Sequence, residues 1–270
     1  MTLRMASLRS LLVLAMFAFI APAALLAAEK KPARDPDAFG SLQTPSLNKA
    51  RGQAQDWLKA AGKMDQDTQK AFAEIWDQPD RPILNRVTDT LALGNTDAAK
   101  LLADARDPGT AAPKEVPSLI KDTKLPGYFR ANLALAYAKA LSNRRVYEEA
   151  LDALAAVRPE QVVDPSAYFF HRAVAEHALI RKNDAIRSIA RLLDDVMDAP
   201  DRYRLVALLM FVDMQGWKEK DLDWIARKMD NIERRLDLAR GGPQTQKIQR
   251  EVVARLDEII KELENRKKGS

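Results

Sequence analysis

Two histidines, His171 and His177, are the residues of this chain best suited to metal binding or proton transfer. They lie six residues apart in a segment with helical character, so their side chains point about 120° away from each other. Zinc-binding helices instead use histidines one turn apart on a single face. We therefore predict surface or helix-packing roles for both histidines, and no metal site.

Other catalytic motifs are missing from the sequence. No cysteine occurs, which removes thiol catalysis, cysteine-ligated zinc, iron–sulfur clusters and c-type haem. There is no Gly-rich phosphate loop, no G-x-S-x-G elbow and no dinucleotide fingerprint. Acid pairs are numerous, but 30% of the residues are charged and such pairs are typical of solvated helix faces. The sequence thus predicts no cofactor and no enzymatic activity, with an enzyme of unrecognised type as the remaining alternative.

The first 28 residues follow the order of a secretory signal peptide. Arg4 and Arg9 precede the apolar run Leu11–Ile20, and small residues fill Ala21–Ala28. Basic, then apolar, then small is the order that directs export, so residues 1–28 are predicted to be a signal peptide. The alternative is an uncleaved anchor that associates the chain with a membrane, because 18 consecutive residues here are uncharged and a spanning helix needs about 20.

The charge balance bears on the kind of partner. Removal of the two leader arginines leaves 41 basic and 38 acidic residues, a net charge of about +3. This near balance gives no electrostatic reason to expect nucleic acid. We expect a periplasmic or secreted protein whose partner is another protein outside the cytoplasm.

Two proline-rich segments lie in the first half of the chain that comes after the predicted signal peptide. Residues 29–45 carry three prolines and little apolar content, and they are predicted to be a flexible tether. Residues 46–106 are predicted to be an N-terminal helical region, with helices near 47–62, 67–76, 81–93 and 96–106. Residues 107–126 hold four prolines and are predicted to be a linker. The sequence leaves open whether residues 46–106 pack against the helices beyond this linker.

A repeat begins at Gly127 and gives residues 127–240 their organisation. Helical patterns occupy residues 127–142, 147–157, 166–181 and 184–197. Ala150-x3-Leu154-x2-Val157 recurs 35 residues later as Ala185-x3-Ile189-x2-Leu192, and Ala138 and Ala173 each precede the repeated alanine by 12 residues. This period resembles that of tetratricopeptide repeats, a resemblance that implies antiparallel helical hairpins stacked into an α-solenoid. The predicted fold class is therefore all-α.

A third pair of helices is expected at 202–214 and 221–238. Its first helix contains eight consecutive apolar residues, Leu205–Val212. A helix that is apolar all round must be covered on every side, so we predict that this segment lies at the centre of the core.

The last helix, residues 244–266, comes after the break Gly241-Gly242-Pro243 and belongs to a C-terminal segment 241–270. Its apolar stripe predicts a helix that caps the solenoid. The 3-4-3 spacing of Val253, Leu256, Ile260 and Leu263 also permits a short coiled coil, so oligomerisation stays open. The block TQKIQREVVARLDEIIKELE is similar to the ends of some exported bacterial proteins of unassigned function, a resemblance that implies no activity.

Two recurring features mark the helix ends. We call the first helix of each pair the leading helix. Basic residues come after each leading helix, as in Arg144-Arg145, and are interpreted as stabilising helix C-termini. Aromatic residues begin each leading helix, as in Tyr168-Phe169-Phe170 and Tyr203, and are interpreted as packing between repeats.

The leading helices would line the concave face of a solenoid, where a partner would dock. Their polar residues Asn132, Arg172 and Glu176 are the predicted contributors to partner binding. The sequence therefore predicts an exported helical-repeat protein that binds or scaffolds another protein and carries no chemistry of its own. A membrane-anchored structural protein of the envelope is the main alternative.

Overall fold

The computed structural model describes residues 39–268, so the predicted signal peptide and residues 29–38 of the tether lie outside it. Within the described range the chain is all-α, and its one β-type pairing there is a single bridge between Leu42 and Val196. The helices are α1 Leu47–Ala60, α2 Gln66–Trp76, α3 Ile83–Gly94, α4 Thr96–Arg106, α5 Ser118–Lys121, α6 Gly127–Asn143, α7 Tyr147–Ala155, α8 Pro165–Ala178, α9 Lys182–Asp194, α10 Asp201–Gln215, α11 Leu222–Asp237 and α12 Pro243–Lys268.

Short polar side chains begin several of these helices, as their sequences predict. The side chains of Ser46, Asp65 and Asn95 each accept a hydrogen bond from a backbone N–H in the first turn of α1, α2 and α4. Asp164 and Asp221 do the same for α8 and α11. These caps satisfy backbone donors that have no partner within the helix.

The helices pack in a regular order. From α3 onward, each leading helix packs against both helices of the pair before it: α3 against α1 and α2, α6 against α3 and α4, α8 against α6 and α7, and α10 against α8 and α9. The proline-rich segment does not separate the first helices from the rest, because Val116 and Ile120 are buried in the same core. Residues 46–106 thus pack directly onto α6, which answers the question that the sequence left open.

The 35-residue correspondence also holds for burial. Ala138, Ala150, Leu154 and Val157 of the first pair are buried, and so are their counterparts Ala173, Ala185, Ile189 and Leu192. Small buried side chains of this kind let neighbouring helices approach closely. Equivalent positions of the two helix pairs are therefore buried in the same way.

Aromatic packing between helices is confirmed. Phe170 of α8 stacks on Tyr203 of α10 with ring centroids 4.1 Å apart, and Trp57 of α1 stacks on Phe129 of α6. Arg144 places its guanidinium at a helix C-terminus, as predicted for the basic residues, but the helix is a neighbour. It donates to the carbonyls of Asp104 and Ala105 in the last turn of α4.

Part of the predicted tether is not flexible. Leu42 is buried, and its backbone N–H donates to the carbonyl of Asp195 at 2.9 Å while its carbonyl accepts from the N–H of Met197. Gly40 donates in the same way to Asp194. The end of α9 thereby gains partners for carbonyls that a helix terminus leaves open. One apolar residue among polar ones gives no periodic signal, and so the sequence did not predict this attachment.

The prediction of a third hairpin is wrong. Although α10 packs on α8 and α9, α11 does not run along it and instead pairs with α12. Lys228 meets Glu251 at 2.6 Å and Arg235 meets Thr245 at 2.8 Å, so α11 and α12 run antiparallel. At its C-terminal end α11 crosses the turn that joins α6 to α7, where Arg234 donates to the carbonyl of Arg145 at 2.9 Å.

Gly94 is required by a close approach at the end of α3. A Cβ atom there would lie 2.5 to 2.9 Å from the ring of Trp57 and from Leu58. Trp57 has little room to move, because it is stacked on Phe129. We expect Gly94→Ala to lower the free energy of unfolding by about 2 kcal/mol, measured by urea denaturation.

Gly52 of α1 provides the matched control, because a Cβ there meets nothing within 4 Å. Gly52→Ala should raise the free energy of unfolding by about 0.5 to 1 kcal/mol through helix propensity alone. Equal effects of the two substitutions would contradict the packing described for Gly94.

Candidate functional site

Asn132, the first of the residues predicted to bind a partner, is fully buried in α6. Its side-chain amide donates to the carbonyl of Tyr128 at 2.9 Å, and its oxygen accepts from the backbone N–H of Val163 at 2.8 Å. The side chain thus ties the connection between α7 and α8 to α6. It is not accessible to a partner, and the prediction of its role is corrected accordingly.

Glu176 of α8 is also buried and bonded internally. Its carboxylate accepts from the hydroxyl of Ser188 on α9 at 2.6 Å and from Nε of Arg172 at 2.9 Å. Burial raises the pKa of Glu176, and its bonds to Ser188 and Arg172 oppose that rise only in part. Arg172 alone of the three predicted residues has a substantially exposed side chain. The predicted trio therefore does not form one accessible face.

The largest departure from expectation is α10, whose apolar side chains are exposed. Leu205, Leu209 and Val212 are 62%, 68% and 66% exposed. The predicted central core segment is therefore a surface segment, and that prediction is wrong. The members of this surface, the α10 face, are the large apolar residues of the run that solvent reaches: Leu205, Val206, Leu208, Leu209, Phe211 and Val212.

Most of α10 is exposed because only one narrow stripe of the helix packs against the rest of the protein. The helix is held by Tyr203, Ala207 and Met214, which lie along one stripe against α8 and α9 and are buried. Leu205 and Leu209 lie one turn apart, away from that stripe. Isolated exposed leucines are ordinary, but a contiguous apolar helix face is typical of an interaction site.

His177 belongs to a polar cluster at the C-terminal end of α10. Its Nε2 lies 2.8 Å from a carboxylate oxygen of Asp213, and Nε1 of Trp217 donates to the same oxygen at 3.0 Å. A carboxylate can orient an imidazole for proton transfer, but no hydroxyl of serine or threonine lines the cavity beside this pair. The cluster joins α8 to the end of α10. His177 and Asp213 are 36 residues apart in the chain, so no local sequence pattern indicates that they meet.

His171 lies inside the protein, against the rings of Phe170 and Tyr203. Neither ring nitrogen has a hydrogen-bond partner in the structure. Burial, with a smaller contribution from the charge of Lys139, lowers the pKa of His171 to about 4. The helix-packing role that the sequence predicted for a histidine is confirmed here.

A polar cleft of about 570 Å³ lies beside the attached segment 43–46 and the turn 160–163. Among its lining side chains, Lys49, Tyr128 and Glu160 are ionisable. Burial raises the pKa of Tyr128, so its hydroxyl stays protonated. That hydroxyl has no hydrogen-bond partner among the described residues, so Tyr128 is not joined to Lys49 or Glu160 as an acid–base or nucleophilic pair would be.

No helix within residues 39–268 combines the length and apolar content needed to cross a bilayer. The same range holds no group of three acidic or histidine side chains placed to bind a metal ion. The chain matches no model of a known protein family, no curated protein and no solved structure.

Proposed function

We propose that this chain is an exported helical-repeat protein that binds another protein through the α10 face. The observation that carries the proposal is the row of exposed apolar side chains on α10, which is flanked by charged residues at both ends: Arg204 precedes it and Asp213 comes after it. Export rests on the sequence of residues 1–28. The proposed surface replaces Asn132 and Glu176 as the docking site.

The packing order of the helices supports an α-solenoid of the tetratricopeptide-like kind. In such a stack each leading helix contacts both helices of the preceding hairpin, and α3, α6, α8 and α10 all do so. The proposed stack therefore begins at α1, well before the repeat that the sequence revealed. In this arrangement α10 is the last helix of the stack.

The position of α10 at the end of the stack indicates which kind of structural element a partner would contribute. In the stack α8 packs against its hairpin partner α9 and against the next leading helix, α10. The helix that comes after α10, α11, packs on α12 instead, so α10 has no hairpin partner. Terminal repeats normally need a polar outer face for solubility, and the α10 face is apolar. We therefore propose that the partner supplies an amphipathic helix, which packs on α10 as the next helix of a stack would.

A double substitution of Leu205→Lys with Leu209→Lys tests this proposal. Both side chains are exposed, so stability should change by less than about 0.5 kcal/mol. Burial of two leucines is worth about 3 kcal/mol or more, which corresponds to at least a 100-fold loss of affinity. Capture from the exported fraction with wild-type bait should recover a protein that the double variant does not recover.

Leu47→Lys is the matched control, because Leu47 is an exposed apolar residue of α1. This variant should recover the same protein as the wild type. Equal recovery by all three baits would contradict the proposed role of α10, since it would show that the captured protein binds elsewhere.

A further inference from the structure

A second exposed apolar surface lies on the hairpin of α11 and α12. The first half of α12 packs along α11, with Val252 buried and Ile248 partly buried between them. After Ile259 every described residue of α12 is exposed. The helix has 26 residues and is therefore about 39 Å long, so its last third extends beyond α11.

The exposed side of α12 carries a coiled-coil stripe. Val253, Leu256, Ile260 and Leu263 are between 39% and 56% exposed, and their spacing is 3-4-3. This spacing is the same in both directions along the chain. Two copies of the stripe can therefore pack antiparallel about a two-fold axis, with Val253 opposite the partner's Leu263 and Leu256 opposite the partner's Ile260.

A groove beside the stripe adds to the apolar surface. It has a volume of about 610 Å³, and its apolar lining comes from Met229, Ile232 and Leu236 of α11 and from Val252 and Val253 of α12. Two heptads alone make a weak coiled coil. A second α12 seated along the groove would also cover α11, and the two hairpins would then form a four-helix bundle.

Charges favour a second copy of this chain in the antiparallel direction. The groove has an acidic rim, formed by Asp230, Glu233 and Asp237. The end of α12 is basic, with Arg266, Lys267 and Lys268. In the two-fold register the partner's Lys267 lies opposite Gln249, a residue that lines the same groove as the acidic rim. The basic end of each copy thus meets the acidic rim of the other, and Arg250 meets the partner's Glu264. Each of these favourable contacts occurs twice in the dimer, whereas the like-charge contact of Asp257 with the partner's Asp257 occurs once.

We infer that the chain forms a homodimer in which the α11–α12 hairpins of two copies join as an antiparallel four-helix bundle centred near residue 258. The residues involved differ from those of the α10 face. Failure of the dimer would therefore leave the proposed partner binding intact, and failure of that binding would leave the dimer intact.

The mass of the purified full chain in solution tests the dimer. Sedimentation equilibrium at tens of micromolar should give twice the mass of one chain for the wild type. Ile260→Glu with Leu263→Glu places four charges in the two-fold interface and should raise the dissociation constant at least about 100-fold, which gives the mass of one chain. Ala254→Glu is the control, because Ala254 is exposed on the other side of α12 and its substitution should leave the dimer unchanged. A wild-type chain that is monomeric at 100 micromolar, or a double variant that stays dimeric, would overturn the inference.

The register is tested by disulfide formation, for which the absence of natural cysteine is an advantage. In the antiparallel dimer Asp257 lies beside the partner's Asp257, so Asp257→Cys should form a disulfide between the two copies within minutes of mild oxidation. Gln249→Cys should not, because its opposite residue is the partner's Lys267. In a parallel coiled coil the equivalent stripe positions face each other, and Gln249→Cys would react faster. That order of rates would overturn the antiparallel arrangement.

Discussion

Replacement of Glu148 by alanine, in the first turn of α7, is expected to lower the free energy of unfolding by about 3 kcal/mol. Its carboxylate accepts hydrogen bonds from Arg234, which is only 3% exposed, and from Arg235. Arg240 lies 3.5 Å from the same carboxylate. These contacts hold α11 against the turn that joins α6 to α7.

The size of this loss of stability depends on how many hydrogen-bond acceptors the arginines keep once the Glu148 carboxylate is removed. Removal of one partner from a buried ion pair leaves the other charge without compensation, at a cost of about 3 to 5 kcal/mol. Each arginine keeps another acceptor, since Arg234 retains the carbonyl of Arg145 and Arg235 retains the hydroxyl of Thr245. We therefore expect the lower end of that range. Burial acts to raise the pKa of Glu148, but the hydrogen bond and charge of Arg234, together with a backbone hydrogen bond and the charge of Arg235, outweigh it and keep this pKa below its usual value.

Urea denaturation at pH 7 measures this loss, and hydrogen exchange locates it. Amides of α11 and α12 should exchange faster in Glu148→Ala than in the wild type, because their attachment is weakened first. Glu74→Ala on the exposed face of α2 is the control and should change stability by less than about 0.5 kcal/mol. A Glu148→Ala protein as stable as this control would show that the arginine contacts do not hold the hairpin in place.

The second large effect is a loss of stability in mild acid that depends on His171. The unfolded chain binds a proton at His171 with a pKa of 6.5, whereas the folded protein binds it with a pKa of about 4. Between these values the unfolded state binds more protons than the folded state. The contribution of His171 to the free energy of unfolding is therefore fully present above pH 6.5 and is lost as the pH is lowered to 4. A difference of this size corresponds to about 3 kcal/mol.

His171→Leu isolates this contribution. Carboxylates titrate in both proteins, so the difference between the two unfolding free energies reports on residue 171. The variant should be at least as stable as the wild type at pH 7.5, because the two buried ring nitrogens lack partners. Its advantage should grow by about 3 kcal/mol at pH 4. Parallel pH profiles for the two proteins would mean that His171 is protonated without cost in the folded state.

The helices could be predicted from local sequence, and the reasons are local. Apolar spacing of three and four residues, capping residues such as Ser46 and Asn95, and breaks such as Gly241-Gly242-Pro243 act within one or two turns. The predicted ends of the long helices accordingly agree with the observed ends to within three residues. The correspondence between Ala150 and Ala185 is also local to each repeat, and both residues are buried.

The tertiary placements could not be predicted in the same way. The apolar run on α10 shows that something must cover it, but the sequence does not tell whether that cover belongs to this chain or to another. Glu148 and Arg234 are separated by 86 residues, and charged residues of this kind are usually solvated. The direction in which a helix residue faces depends on neighbouring helices that the sequence does not locate. Asn132 is for this reason predicted on an accessible face, whereas in the structure it is fully buried.

Site-specific photo-crosslinking in cells that produce the chain tests partner binding by α10 most directly. A photoreactive phenylalanine analogue in place of Leu209 lies at the centre of the α10 face, and the same analogue in place of Glu74, an exposed residue of α2, serves as the control. We predict a discrete adduct with a second, different protein from position 209 and not from position 74. An absence of adduct at position 209, an identical set of adducts from both positions, or an adduct with the mass of two copies of this chain would contradict the proposed function.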